Sequence, residues 1–309
     1  MGRAVEVGRT VTVAVSATSA NLGPGFDCLG LALDWREQVD LTVRESGFAI
    51  EVSGEGADRI PRDESHLIIR SVLVGLADLG ISVPGLGLAG HNTIPHGRGL
   101  GSSSAAVVAG LVAAAGLAEV EVDRAWVLRH ATAIEGHPDN VAAAAYGGLV
   151  LAYEGPNGVQ AAQGRLHPEI GTAVLIPDAG VETARARSLL PDEVPHTDAA
   201  ANSGRAALLV HALADDPGRL WDATRDWLHQ QYREPVMPRS YALVTALRAA
   251  GYAAVISGAG PTVLVLGHRD QLAGLAGFPA PGFGLRRCGI GPGATLVGIG
   301  HYGNIERGC

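Results

Sequence analysis

The chain has 309 residues, a formal net charge of -8 at neutral pH and 47% hydrophobic residues. This length predicts roughly two domains, and the negative charge argues against a nucleic-acid-binding or membrane-binding surface. The cysteines Cys28, Cys288 and Cys309 are too few and too scattered for a disulfide framework or a zinc site. The N-terminus shows no signal-peptide pattern. Because the cysteines form no disulfide framework, we expect a reducing compartment and a cytoplasmic protein.

The first predicted elements are two strands that flank a glycine- and proline-rich loop. Alternating polar and apolar residues over 11–16 predict a half-buried strand, and residues 29–33 predict another. Between them lies Asn-Leu-Gly-Pro-Gly-Phe-Asp, with Asn21 and Asp27 at its two ends. Taken alone, these residues indicate an ordinary connecting loop with Asx turns rather than a binding site.

A hairpin, a helix and a strand are predicted next. Residues 41–52 predict a hairpin that turns near Gly47. The polar residues 63–65 predict the cap of a helix that runs to residue 79. A strand over residues 86–94 then leads into the most informative stretch of the chain.

That stretch is Pro-His-Gly-Arg-Gly-Leu-Gly-Ser-Ser-Ser, residues 95–104, followed by an apolar run to Leu117 that predicts a buried helix. A glycine-rich loop that opens a helix directs free N–H groups and the positive end of the helix dipole at one place, which attracts phosphate. A serine in the first turn can also bind the Mg²⁺ of a nucleotide. The alternative is a glycine-rich turn with a serine N-cap.

Better-known phosphate loops do not fit this stretch. The chain contains no lysine, which both a Walker A loop and a protein-kinase site require. The glycines also lack the G-x-G-x-x-G spacing of a dinucleotide-binding loop. The stretch therefore predicts a lysine-free phosphate loop.

A dense polar cluster, Glu-Gly-His-Pro-Asp-Asn over residues 135–140, follows a helix predicted over residues 123–134. From spacing alone, the cluster is either a functional site or a Pro-Asp-Asn turn with helix caps. A zinc site is the weaker interpretation, because one histidine without a paired histidine or cysteine lacks the ligand spacing of zinc.

The second half of the chain follows a glycine-rich, polar segment over residues 154–167, where we predict the boundary between domains 1–160 and 161–309. We predict strands over 171–177, 253–256, 262–266 and 295–300, and helices over 198–213, 219–228 and 239–250. Ser-Gly-Ala-Gly-Pro, residues 257–261, lies between two of these strands. From the residues alone, Arg187 and Arg233 are surface arginines.

Pro-x-x-x-Gly-Leu-Gly-Ser-Ser, which begins at Pro95, resembles the signature of the GHMP kinases. Segments 21–27, 135–140, 183–191 and 257–261 also resemble motifs of this superfamily, most closely of its homoserine kinase branch and in the same order. The resemblance covers nearly the whole chain. It implies an α+β, two-domain GHMP kinase fold, with a ribosomal-protein-like N-terminal half, a ferredoxin-like C-terminal half and a site in the cleft between them.

The resemblance also implies the roles of individual residues. It implies that Mg²⁺ lies between Ser103 and Glu135, and that Asn140 orients the reacting hydroxyl. His66 stands where relatives usually have an asparagine near the adenine. The implied contacts of the amino-acid substrate are Asn21, Asp27, His137, Thr183, Arg187 and Arg233. The implied contacts of ATP are Pro95, Gly97, Arg98, Gly99, Leu100, Gly101, Ser102, Ser103, Ser104, Gly258 and Gly260.

The implied reaction is the ATP-dependent phosphorylation of L-homoserine to O-phospho-L-homoserine, a step toward threonine, without a dedicated general base. We also expect a homodimer. Two alternatives remain open. Another GHMP kinase, acting on an alcohol such as mevalonate or shikimate, is disfavoured by the segment 21–27 and the two arginines. A non-catalytic nucleotide-binding regulator of the same fold is disfavoured by the intact pair of Ser103 and Glu135.

Overall fold

A computed structural model describes residues 3–301 of the chain, so Cys309 lies outside the described residues. The strands are β1 (Arg3–Ala4), β2 (Arg9–Ala20), β3 (Leu29–Val43), β4 (Gly47–Gly54), β5 (Ile81–Ser82), β6 (Gly85–Asn92), β7 (Leu149–Gly155), β8 (Gly158–Gly164), β9 (Ile170–Pro177), β10 (Ala253–Ile256), β11 (Val263–His268), β12 (Phe283–Cys288) and β13 (Thr295–His301). The helices are α1 (Leu67–Asp78), α2 (Ser102–Leu117), α3 (Arg124–Glu135), α4 (Asp139–Tyr146), α5 (Thr183–Arg187), α6 (His196–Ala214), α7 (Leu220–Ala223), α8 (Gln230–Arg233), α9 (Pro238–Ala249) and α10 (Arg269–Ala273).

The larger sheet has the strand order β13-β2-β3-β6-β4, and β7 and β8 extend it from β3. The prediction of a hairpin over residues 41–52 is wrong. The two edges of β3 at this end are occupied by β2 and β6, so β4 lies beyond β6 and pairs with it in parallel. The antiparallel pair of β2 and β3 instead closes around the loop that carries Asn21 and Asp27.

Helix α2 lies at the centre of the fold, and nearly all of its side chains are buried. Its small residues allow close contact with α1: a Cβ added to Gly110 would lie 2.6 Å from the Cβ of Ser71. Because the core surrounds this helix on all sides, its sequence shows no polar face. Among the described residues, no helix has both the length and the apolar character needed to cross a membrane.

The smaller sheet is antiparallel, with the order β10-β11-β9-β12. Its first and second strands in the chain are separated by α5–α9, and its third and fourth by α10, which is a ferredoxin-like arrangement. Alternate residues face opposite sides of a sheet. Val174 and Leu264 accordingly join the core of the larger sheet, whereas Leu175 and Val263 join a second core with Leu247 of α9. This sheet therefore contributes side chains to both hydrophobic cores.

The predicted helix over residues 219–228 is also wrong, since α7 ends at Ala223 and α8 begins at Gln230. Side chains between them offer the backbone other partners. The hydroxyl of Thr224 donates to Leu220 O at 2.8 Å, and the carboxylate of Asp226 accepts from the N–H of Gln230 at 2.7 Å. Such local side-chain bonds compete with a continuous helix.

The proposed division at residue 160 falls within strand β8, which pairs with β7 of the larger sheet. Strand β13, from the far end of the described chain, pairs with β2 in that same sheet. Along the chain, the larger sheet thus uses segments from both sides of residue 160.

Candidate functional site

The predicted phosphate loop lies between β6 and α2. Gly97, Gly99 and Gly101 have φ values of 63°, 73° and 68°, in the left-handed region that favours glycine. Space is restricted as well: a Cβ at Gly99 would collide with Ser257 O, and one at Gly101 with the hydroxyl of Thr18. At Gly99 and Gly101 the loop therefore requires glycine for both conformation and packing.

This loop leaves the N-terminus of α2 open. The N-cap residue is Gly101, no side chain caps the helix, and no acidic residue occupies its first turn. The predicted alternative of a serine N-cap is therefore wrong. Since the first N–H groups of a helix have no partner within the helix and carry its positive dipole end, the arrangement suits a phosphate.

A second glycine loop, residues 257–261, packs directly on the first. The hydroxyl of Ser257 donates to Gly99 O at 2.6 Å and lies 2.7 Å from the hydroxyl of Ser19. The backbone continues this contact, because Thr262 N donates to Arg98 O at 3.2 Å and Gly258 N donates to Ala20 O at 3.0 Å. Segments far apart in the chain thereby fix the shape of the phosphate loop.

One carboxylate faces the start of α2. Glu135 is the last residue of α3, which ends because Gly136 adopts a left-handed conformation. Its Oε2 accepts from the hydroxyls of Ser103 at 3.0 Å and Ser104 at 2.7 Å. The structure thus brings the predicted Ser103–Glu135 pair together and adds Ser104, whose proximity to Glu135 the sequence did not indicate.

The loop over residues 21–27 is held by its own polar ends. Asn21 and Asp27 have φ values of 69° and 51°, which asparagine and aspartate tolerate better than most residues. Asn21 accepts from the N–H of Asp27 at 2.9 Å and donates to Gly258 O at 2.9 Å. The hydrogen bond to Gly258 O attaches this loop to the second glycine loop.

Asp27 and Arg187 form a two-pronged ion pair with each other. The guanidinium nitrogens of Arg187 donate to the two carboxylate oxygens at 2.6 and 3.0 Å. The two side chains are 35% and 33% exposed, so the pair lies at the mouth of the site. The hydrogen bond to Asp27 is the main cause of the raised pKa of Arg187. Because Asp27 and Arg187 pair with each other, a substrate that binds both groups has to replace or share this ion pair.

Arg233 is buried, with a relative exposure of only 1%, so the interpretation as a surface arginine is wrong. Burial, with a smaller contribution from Arg187, lowers its pKa to about 10, and it stays charged at neutral pH. Its Nη1 donates to Gly258 O at 3.1 Å and lies 3.2 Å from Nδ1 of His229. Its buried Nε has no partner, and its guanidinium lies 5.5 Å from the ring of Phe26. A buried donor without a partner is the kind of group that a bound anion would satisfy.

His137, Asp139 and Asn140 line the same cavity. The carboxylate of Asp139 is buried, lies 3.1 Å from Nδ1 of His137 and accepts from Asn140 N at 2.7 Å. The hydrogen bond to Asp139 is the largest cause of the raised pKa of His137. The amide Oδ1 of Asn140 accepts from the hydroxyl of Thr18 at 2.8 Å, which fixes the orientation of this amide.

Two residues expected to contact the nucleotide have other contacts. The guanidinium of Arg98 donates to backbone carbonyls, including Pro177 O at 3.0 Å. A Cβ on Gly260 would approach Met237 Sδ at 2.5 Å, so the side of Gly260 that a side chain would occupy is packed against the second core. Near the expected adenine position, His66 caps α1 by accepting from Ile68 N at 3.3 Å.

Most of the predicted residues line one cavity, although Asp27 and Gly260 are outside this lining. The residues of the cavity wall are Asn21, Pro95, Gly97, Arg98, Gly99, Leu100, Gly101, Ser102, Ser103, Ser104, Glu135, His137, Asp139, Asn140, Thr183, Arg187, Arg233, Gly258 and Ala259. Sequence reasoning missed Thr18 and Phe26, and it did not place Asp139 in the site. Phe26 could have been noticed as an aromatic residue beside Asp27, whereas Thr18 stands out only through its partner Asn140.

The chain matches two family models, "GHMP kinases N terminal domain" over residues 66–148 and "GHMP kinases C terminal" over residues 207–276. A homoserine kinase of Streptomyces coelicolor is 49% identical over 291 residues, covering 93% of this chain and 94% of the relative. A homoserine kinase of Clavibacter michiganensis is 50% identical over 270 residues, covering 86% and 85%.

Solved structures agree with these matches. The crystal structure of a homoserine kinase from Cytophaga hutchinsonii superposes with a TM-score of 0.83 at 27% identity, covering 93% of this chain and 97% of the other. A mevalonate kinase from L. major, solved with R-mevalonate, has a TM-score of 0.67 at 17% identity, covering 94% and 99%, and shows the shared fold alone. The confirmed α+β fold, the ordered motifs and these relatives agree: the chain belongs to the homoserine kinase family of the GHMP kinases.

Proposed function

We propose that the protein transfers the γ-phosphoryl group of ATP to the side-chain hydroxyl of L-homoserine and forms O-phospho-L-homoserine, a step toward threonine. One observation carries the proposal: an uncapped helix N-terminus, which suits phosphate, and a set of charged groups suited to an amino acid line the same cavity. Phosphoryl transfer depends mainly on position and charge neutralisation, and a shared cavity supplies both.

The nucleotide side would act through the backbone. The open N–H groups at the start of α2 would hold the phosphates, with the glycine loop wrapped around them. Because Gly99 and Gly101 are fixed by contacts with Ser257 and Thr18, this half of the site is preorganised. Such preorganised N–H groups stabilise the negative charge that develops in the transition state.

Mg²⁺ would be held by Glu135 and by the hydroxyls of Ser103 and Ser104. These groups fit the metal, because one carboxylate and two hydroxyls offer only oxygen ligands, and Mg²⁺ typically takes its remaining ligands from water and phosphate. When bound, the ion neutralises charge on the phosphate oxygens.

L-Homoserine would bind across the charged side of the cavity. Its carboxylate suits Arg233, whose buried Nε has no partner, and Arg187, whose guanidinium can bind a carboxylate with two bonds. Its ammonium suits Asp27. The substrate carboxylate would then replace Asp27 as the partner of Arg187, and the substrate ammonium would replace Arg187 as the partner of Asp27. Asn21 and Thr183 would lie beside the substrate.

The acceptor hydroxyl would be oriented by Asn140, whose amide is fixed by Thr18. His137 is poorly suited to be the general base, because its hydrogen bond to Asp139 raises its pKa and so favours the protonated imidazole. A phosphoryl transfer with a loose transition state has little need of early deprotonation. We therefore propose a reaction without a dedicated base.

The proposed reaction is tested by coupled ADP release with L-homoserine, mevalonate, shikimate and galactose at equal concentrations. We expect turnover that requires homoserine and Mg²⁺, and ³¹P NMR should show a phosphate monoester on the homoserine side chain. Faster turnover with mevalonate or a sugar would contradict the substrate assignment. Nucleotide binding without turnover of any of them would favour the regulator.

The metal site is tested by Glu135→Gln, which keeps the shape of the side chain but removes its charge. We expect turnover to fall by roughly 100-fold or more, on the scale of removing one strong transition-state contact, with little change in melting temperature. Ser103→Ala and Ser104→Ala compare the two hydroxyls. Unchanged activity per folded Glu135→Gln molecule, with a large loss of thermal stability, would show a structural role instead.

We also propose the division into domains 1–160 and 161–309, a homodimer and a cytoplasmic location. The division separates the segment that carries the phosphate loop from the one that carries the two substrate-side arginines. The location follows from ATP and an amino acid as substrates, and it agrees with the two described cysteines, Cys28 and Cys288, being free thiols. Light scattering after size exclusion should give twice the 31.6 kDa chain mass.

A further inference from the structure

We infer that Arg98 is a positioning residue that couples nucleotide binding to amino-acid binding and does not itself bind phosphate. Although it belongs to the phosphate loop, its guanidinium donates to three backbone carbonyls. Nε donates to Pro177 O at 3.0 Å, Nη1 to His96 O at 3.3 Å, and Nη2 to Asp178 O. These contacts use the guanidinium to join the phosphate loop to the end of β9.

Two further contacts strengthen this junction. Val181 N donates to Gly97 O at 3.0 Å, so the backbone after β9 is bonded directly to the phosphate loop. Gly180 lies against the same place: a Cβ there would collide with Nη1 of Arg98 and lie 2.8 Å from Gly97 O. The connection from β9 to α5 therefore follows the position of the loop closely.

The connection leads directly to the amino-acid side of the site. Helix α5 begins at Thr183, two residues after Val181, and ends at Arg187, which pairs with Asp27. Nucleotide that orders the phosphate loop would therefore also order the helix that presents Arg187. This inference rests on the proposed function, because it takes the loop as the ATP site and Arg187 as a contact of homoserine.

The chemistry of arginine separates this role from phosphate binding. A lysine at position 98 keeps a positive charge and can serve a phosphate as a point charge, but it cannot reach three carbonyls with a planar fork. Arg98→Lys should therefore resemble Arg98→Gln if the residue joins the two segments. It should resemble the wild type if the residue binds phosphate.

The experiment is a calorimetric binding cycle with the purified full-length protein. The dissociation constant of L-homoserine is measured with and without a non-hydrolysable ATP analogue and Mg²⁺. For the wild type we expect the nucleotide to tighten homoserine binding by about 5-fold or more, within the usual range of coupling between sites. In Arg98→Lys and Arg98→Gln this factor should fall below about 2, while the affinity for the nucleotide alone changes less than about 3-fold.

Gly180→Ala tests the same junction while the arginine is retained. The added methyl group should separate the connection from the loop and reduce the coupling factor similarly, and this variant decides the matter if an Arg98 variant does not fold. Arg239→Lys is the matched control, because Arg239 also donates to a backbone carbonyl, Pro281 O at 2.7 Å, and its guanidinium lies over the ring of Phe283. It should keep the wild-type factor.

Three results would overturn the inference: a wild type without coupling, coupling that survives in both Arg98→Lys and Gly180→Ala, or nucleotide affinity that Arg98→Gln abolishes and Arg98→Lys restores. A different result identifies failure of the proposed function. In that case the wild type would bind nucleotide but would neither bind homoserine nor release ADP in its presence.

Discussion

The two sides of the cavity are built on different principles. The nucleotide side consists mainly of backbone from one continuous stretch, residues 95–104, with conformations that only glycine adopts easily. The acceptor side consists of charged and amide side chains from separate segments, among them His137, Asn140, Arg187 and Arg233, and Asp27 joins it through its ion pair with Arg187. The first side should therefore be sensitive to changes of chain conformation, and the second to changes of charge.

The largest effect is expected when the backbone of the nucleotide side is forced to change. Gly101→Val places a branched side chain at a φ of 68° and against the hydroxyl of Thr18. We expect nucleotide binding, measured by calorimetry, to weaken by roughly 100-fold or more, on the scale of about 1.4 kcal/mol per factor of ten. Homoserine binding alone should weaken less, because its contacts come from other segments.

The control for this variant is Gly158→Val, at the turn of the β7–β8 hairpin. Gly158 also has a positive φ, 88°, but no atom lies within 4 Å of an added Cβ. It therefore carries the conformational cost without the collision in the site. If folded Gly101→Val bound ATP as the wild type does, the loop would not be the phosphate site.

The same difference explains what the sequence alone could predict. The phosphate loop is local, so its glycines and the helix that follows are readable from neighbouring residues. The Asp27–Arg187 pair joins residues 160 positions apart, and nothing near either residue indicates the other. Only resemblance to a family placed them in one site, and it did not indicate that they pair with each other.

The fold shows a similar limit. Strands and helices with clear periodicity, such as β9, β10, α6 and α9, agree with their predicted positions to within a few residues. The errors occurred where a tertiary partner decided the outcome. Strand β4 was assigned to β3 because the two are adjacent in sequence, but β6 occupies that edge. The helix over residues 219–228 was predicted from its apolar residues, without the competing bonds of Thr224 and Asp226.

An intermediate effect is expected when charge is removed from the acceptor side. Arg187→Leu and Asp27→Asn should each raise the Michaelis constant for homoserine by roughly 10- to 100-fold, since hydrogen bonds to charged groups contribute about 1.5–3 kcal/mol. The Michaelis constant for ATP should change little. Because the pair is about one-third exposed, the loss of stability should be small, about 1 kcal/mol or less.

Arg165→Leu is a matched control, because Arg165 forms an exposed ion pair with Asp215 at 2.8 Å elsewhere on the protein. It should leave both Michaelis constants unchanged. Steady-state kinetics and thermal melts of the three variants separate the two roles of the Asp27–Arg187 pair. Arg187→Leu that disturbs ATP more than homoserine, or leaves the homoserine constant unchanged, would remove Arg187 from the acceptor side.

The smallest effect concerns two histidines whose pKa values shift in opposite directions. His66, which caps α1 near His96, is buried, and this burial lowers its pKa to about 4, with smaller contributions from Arg62 and His96. His137, on the acceptor side, has its pKa raised above 6.5, chiefly by the hydrogen bond to Asp139. In the unfolded chain both side chains should titrate near pH 6.5. The two therefore contribute opposite pH dependence to folding.

For His66, the unfolded chain binds the extra proton between about pH 6.5 and 4, so the stability that this residue gives is complete above 6.5 and falls on acidification. For His137, the folded chain holds the proton longer, so its contribution is present below pH 6.5 and is lost as the pH rises through the raised pKa. Denaturant melts of wild type, His66→Asn and His137→Gln between pH 4.5 and 8 measure both. The stability difference from wild type should have opposite slopes in the two variants, and parallel slopes would contradict the opposite pKa shifts of the two histidines.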